Sequence, residues 1–144
     1  MKPNIGISEK SIGNITDLLS TLLADEMTLY IKTRKFHWNV SGESFMELHK
    51  LFEAQYKQLE IYIDEIAERI GKLGVKTIGT MKEFSAAATL KESPGKYPSQ
   101  KNMLDELLED HETVIKQLRK QITACDEKHG DAGTADFLTG LMED

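Results

Sequence analysis

The chain reads as an all-α domain, a four-helix bundle with one long crossover between its second and third helices. Three observations predict it. Apolar residues recur at a helical period over three stretches near 30 residues and a fourth, shorter one. The connection after the second stretch is long and carries a short helix signal of its own. Three prolines in 144 residues and an aromatic content of 7% suit a helical domain.

Helix one is expected to start at Ser8 or Ser11, both good N-caps. Ile12, Ile15, Leu18, Leu19, Leu22, Leu23, Met27, Leu29 and Tyr30 carry its apolar period to about Phe36 or His37. Residues 1–10 form a short tail, with no apolar core of the kind a secretory signal needs. Asn39-Val40-Ser41-Gly42 breaks the helix. Ser44 with Glu47 predicts a capping box that opens helix two. That helix runs through Phe45, Leu48, Phe52, Leu59, Ile63, Ile66 and Ile70 to a stop at Gly74.

In the crossover, Thr80 with Glu83 predicts a cap for a short helix over Met81 to Leu90. Ser93-Pro94-Gly95-Lys96-Tyr97-Pro98 ends it. Helix three starts near Ser99, passes Met103, Leu104, Leu107, Leu108, Val114, Ile115, Leu118 and Ile122, and stops at Gly130. Thr134 is expected to cap helix four, which carries Phe137, Leu138, Leu141 and Met142. No stop signal precedes Asp144, so this helix is short or continues beyond the sequence given. Residues 1–144 form a single domain, and a bundle with one crossover has the connectivity of the ferritin-like class.

Bulk composition narrows the function. A chain of 144 residues buries about 68% of its unfolded surface, so it needs no staples. Its single cysteine, Cys125, allows no intrachain disulfide, which fits a reducing cytoplasm. Cys125 reads as a small helix residue without special reactivity. No apolar run approaches the ~20 residues of a membrane span. The net charge of −6 argues against a nucleic-acid surface, which needs clustered Lys and Arg.

The chemistry lies on helix two. His49 and Glu53 are four apart, as are Asp64 and Glu68, so each pair shares a face. Eleven residues from Glu53 to Asp64 make about three turns, which aligns all four side chains on one stripe. The two halves are nevertheless roughly 16 Å apart at ~1.5 Å per residue. One metal cannot reach both. An antiparallel copy of the helix, with a two-fold axis near Gln58 and Leu59, sets His49 and Glu53 of one chain against Asp64 and Glu68 of the other. The spacing therefore predicts metal sites between subunits, two per dimer. His37 is the natural third contributor on the His49 side. Mixed histidine and carboxylate donors suit iron, zinc or manganese better than calcium or magnesium. Taken singly, His49 reads equally well as a surface histidine, and Asp64 with Glu68 as a solvated stripe beside Arg69 and Lys72; the joint spacing decides. The chain has no Glu-x-x-His, the motif of di-iron sites inside one bundle.

Phe36-His37-Trp38-Asn39-Val40-Ser41-Gly42, followed by Phe45, His49, Glu53 and Asp64-Glu65-Ile66-Ala67-Glu68-Arg69-Ile70, resembles the Dps family, the mini-ferritins of starved bacteria. Thr134-Ala135-Asp136-Phe137-Leu138 looks like the start of that family's last helix. The resemblance covers nearly the whole chain. It implies a hollow twelve-subunit shell in the cytoplasm. It also implies a di-iron ferroxidase site at each two-fold interface, hydrogen peroxide as preferred oxidant of Fe(II), and ferric mineral stored inside. By position, His37, His49 and Glu53 come from one subunit and Asp64 and Glu68 from its partner. Many family members have Asp where Glu53 stands, one methylene shorter. Zinc and manganese are the substitutes this donor set admits.

Trp38 resembles the family's aromatic beside the iron site, with packing at the helix end as its structural alternative. Asp136 resembles an acidic residue at a three-fold iron pore, which Glu143 and Asp144 extend. The acidic run Asp105, Glu106, Glu109, Asp110 and Glu112 reads as a solvated face before a mineral-nucleating wall. Some relatives compact DNA with tails rich in Lys and Arg. Here only Lys2 and Lys10 stand in the tail, offset by Glu9, and twelve chains at −6 each carry about −72. Direct DNA binding is therefore disfavoured, unless a strongly basic segment follows the last helix.

Overall fold

The computed structural model describes residues 3–144 and is all helix, with no strand among them. Helix α1 spans Glu9–Asn39, α2 Phe45–Lys72, α3 Met81–Ala87, α4 Gln100–Thr123 and α5 Ala132–Glu143. Ser8 caps α1 through Ser11 N–H, so the helix begins inside the expected tail and ends three residues past Phe36. Met1 and Lys2 of that tail lie outside the described residues. No helix among the described residues is long and apolar enough to cross a membrane.

The two long helices α1 and α2 form the main seam, and α4 and α5 close the bundle. Ile15, Leu19, Leu22, Leu23, Phe52, Ile66, Ile70 and Leu138 fill the core without measurable exposure beyond 1%. Gly42 makes the turn from α1 to α2 possible. Its φ is +118°, and a Cβ there would stand 3.1 Å from the Gln100 amide.

Four local expectations are corrected. Ser44 does stand at the α2 N-cap, but its ψ is 30° and its side chain makes no capping bond, so the Ser44–Glu47 box does not form. The turn is closed instead by Phe45 N–H donating to the Gly42 carbonyl at 3.1 Å. The Thr80–Glu83 box does form, yet α3 stops at Ala87 rather than Leu90. The reason is Asp25, fully buried on α1, whose carboxylate accepts Thr89 N–H at 2.6 Å, Thr89 Oγ1–H at 2.7 Å and Leu90 N–H at 2.9 Å. Those bonds pull the crossover out of helix and strap it to α1.

At its end, α4 widens into a π turn over Ala124–Lys128 before Gly130 stops it at φ +67°. Asp131, not Thr134, caps α5: its carboxylate accepts Thr134 N–H at 2.9 Å and is held by Arg69 of α2 at 3.2 Å. An aspartate three residues earlier, already anchored by a cation, outcompetes the threonine for the role. The acidic run of α4 is also not uniformly solvated. Asp110 and Glu106 both pair with the buried Lys32 of α1, at 2.6 and 3.1 Å.

Candidate metal centre

The C-terminal end of α1 and the N-terminal end of α2 bring His37 and His49 into contact. Their rings stack at 3.8 Å with 21° between planes. His37 Nδ1 lies 2.8 Å from the His49 carbonyl, and His49 Nδ1 lies 3.0 Å from the His37 carbonyl. A carbonyl oxygen only accepts, so both Nδ1 atoms carry the proton. In the neutral ring this fixes the tautomer and leaves Nε2 with its lone pair free on each. Pinning one ring nitrogen to a backbone acceptor while the other stays open is how histidine is prepared for a metal.

The surroundings hold the rings in place. Phe45 stacks on His49 at 5.1 Å, and Tyr56 meets His37 edge-on at 5.3 Å. Arg34 lies over the Tyr56 ring at 4.4 Å, donates to the Tyr30 hydroxyl and reaches to 5.5 Å from the centre of Trp38. Sequence periodicity marks none of these cation–ring contacts. Trp38 itself is 65% exposed in the single chain.

Glu53 stands one turn beyond His49. Its carboxyl is held below the usual carboxylate range, chiefly by the hydrogen bond and charge of Lys57, with smaller contributions from His37 and His49. Three of the expected ligands are therefore neighbours within one chain. Asp64 and Glu68 are not among them. Both are exposed, and they line a shallow groove of about 800 Å³ with Tyr30, Glu60 and Glu65. Glu68 is 3.5 Å from Lys72. Among the described residues of a single chain, no three His, Cys, Asp or Glu side chains converge to hold a metal.

The pore candidates separate as well. Asp136 and Glu143 are exposed and seven apart on α5, hence on one face. Asp136 is the fifth residue of the helix, past the first turn in which Thr134 capping would have set it. Asp144 turns toward the Tyr62 hydroxyl of α2, and joins a bundle cavity rather than that face. Cys125 is fully buried in the π turn, with its thiol pushed up to about 11 by burial, so it holds no thiolate at neutral pH.

Comparison with known proteins places the fold in a family. Residues 16–144 match the family model for a ferritin-like domain. An uncharacterized low temperature-induced protein of a Nostoc species is 45% identical over 141 residues, covering 98% of this chain and 79% of the relative. The DNA protection during starvation protein 2 of Bacillus anthracis is 32% identical over 127 residues, covering 88% and 86%. Among solved structures, the Dps protein of Vibrio cholerae superposes with a TM-score of 0.92 at 29% identity, covering 99% of this chain and 89% of that one. That protein is described as one of a broad superfamily of ferritin-like diiron-carboxylate proteins. The chain belongs to the Dps family of ferritin-like proteins.

Proposed function

We propose that this chain is an iron-storing ferroxidase that protects bacterial cytoplasm from oxidative stress. In this reading Fe(II) is the substrate. It binds where His37, His49 and Glu53 of one subunit meet Asp64 and Glu68 of the partner subunit. The observation that carries it is the reciprocal pinning of the two histidines, which frees both Nε2 atoms beside Glu53. Support for a shared site comes from the roughly 16 Å separation of the two halves along α2.

The residues account for the chemistry. Neutral imidazole accepts Fe(II), while carboxylates favour Fe(III) and so drive oxidation. Two ferrous ions held together deliver two electrons to one hydrogen peroxide. With two protons taken up, the oxygen–oxygen bond breaks to two waters and no hydroxyl radical leaves. Ferric product then passes to mineral inside a twelve-subunit shell. Relatives named for DNA protection during starvation and for general stress support a protective role. Mixing subunits tests the shared site. A His37→Ala/His49→Ala chain and an Asp64→Ala/Glu68→Ala chain are each inactive as pure shells. A mixed dimer gathers all damage in one site and leaves the other intact, so mixed shells regain fast iron oxidation. If they remain as slow as the parents, the site lies within one chain.

Protection in this reading does not run through direct DNA contact. A shell near −72 repels phosphate at physiological salt. A retarded DNA complex with iron-free shells at about 150 mM salt would overturn that point.

A further inference from the structure

Lys57 sits one turn beyond Glu53 on α2, and its ammonium donates to the Glu53 carboxylate. Both side chains reach solvent, and an exposed pair at this spacing ordinarily only props the helix. Three features set this pair apart. Glu53 is the carboxylate beside the two pinned histidines, so Lys57 holds the group that a metal would need. Lys57 is also the only cation among the described residues lining the acidic groove that carries Glu60, Asp64 and Glu68. Finally, antiparallel pairing about Gln58 and Leu59 matches 49 with 68 and 53 with 64, and the same register matches 57 with 60. In that register Lys57 would face the partner subunit's Glu60, a second carboxylate within its swing.

We infer that Lys57 is a tethered cation that occupies the Glu53 half of the site until a divalent ion displaces it toward the partner subunit's Glu60, and so sets the affinity of that half. The inference rests on the shared-site reading above. Without metal, that reading gathers Glu53 with Asp64 and Glu68 of the partner subunit, three negative charges that the ammonium offsets. An incoming divalent ion takes over the neutralisation. Until Lys57 moves, an ammonium about 5 Å away opposes the ion by roughly ten-fold in affinity even at the dielectric of water. A second carboxylate close by keeps that displacement cheap.

Titrating intact shells with Zn(II), which is redox-silent, tests the inference. Four proteins are compared: the unaltered chain, Lys57→Met, Lys57→Arg and His37→Ala/His49→Ala. Lys57→Met should bind Zn(II) about three- to ten-fold more tightly, an advantage that shrinks as salt rises. Lys57→Arg keeps the charge and should bind like the unaltered chain. Unchanged or weaker binding by Lys57→Met, or arginine behaving like methionine, would overturn the inference. The histidine variant separates the two levels. If it binds Zn(II) as well as the unaltered chain, the shared-site reading fails. If it loses binding while Lys57→Met changes nothing, only the role of Lys57 fails.

Discussion

The two ends of α2 carry the same kind of chemistry in opposite states. At the N-terminal end, His49 is fixed by the His37 backbone, sandwiched between Phe45 and His37, and followed by Glu53. At the C-terminal end, Asp64 and Glu68 stand in solvent with one lysine at 3.5 Å. One end is organised by its own chain, and the other waits for a neighbour. The difference has a physical cause. The histidine end lies where two helices meet, so backbone carbonyls at the α1 terminus are available as acceptors. The acidic pair lies on the exposed face of the last turns of α2, where Asp64 and Glu68 reach only solvent and Lys72 of their own chain.

That contrast is best broken by paired substitutions. His49→Ala and Asp64→Ala should each slow iron oxidation by at least about 100-fold, since each removes a proposed ligand. Their effects on stability should diverge. His49→Ala deletes the hydrogen bond from His49 Nδ1 to the His37 carbonyl and the stacked ring between α1 and α2. It should cost about 1–2 kcal/mol, or a few degrees of melting temperature. Asp64→Ala touches nothing within its own chain and should stay within about 0.5 kcal/mol. Iron-oxidation rates and melting curves of the same proteins check both. Equal destabilisation by the two variants would erase the distinction between an organised and a waiting end.

Much of this was legible in the sequence, and the residues show why. The helical period along α1 and α2 placed the core, because burial of Ile15, Leu19, Phe52, Ile66 and Ile70 is what the period encodes. Spacings of four and eleven placed the candidate ligands on one stripe, because helix geometry is fixed by the backbone. What sequence did not reveal depends on long-range contact. Ser44 and Thr134 both fit capping patterns, yet Ser44 caps nothing through its side chain, and Asp131 takes the role at α5 because Arg69 of another helix already holds it. The crossover helix ends early because Asp25, 64 residues away in sequence, claims the Thr89 backbone N–H. Asp110 and Glu106 looked like a solvated run until Lys32 crossed from α1. Arg34 joins three aromatic rings near the site through contacts that no sequence period marks.

The same contrast between organised and unorganised carboxylates recurs on α1 in adjacent residues, and it yields a pH signature. Asp25 and Glu26 are both buried. Asp25 accepts three hydrogen bonds, whereas Glu26 Oε2 has no hydrogen-bond partner and borders a cavity of about 120 Å³ with Gln55, Tyr62 and His111. Burial first, and the neighbouring Asp25 charge second, push the Glu26 carboxyl up from 4.5 to about 7. The folded state thus holds the Glu26 proton more tightly than the unfolded state does. Its contribution is fully present below pH 4.5 and is lost as pH rises through about 7. Glu26→Gln keeps the shape and removes the titration. Relative to that variant, the unaltered protein should lose on the order of 3 kcal/mol of stability between those limits. At about 2–4 °C per kcal/mol this amounts to roughly 6–12 °C in melting temperature. Melting curves of both proteins at half-unit steps from pH 4.5 to 8 measure it. Parallel curves across that window would mean that Glu26 finds a partner as good as those of Asp25, and the contrast between the two neighbours would collapse.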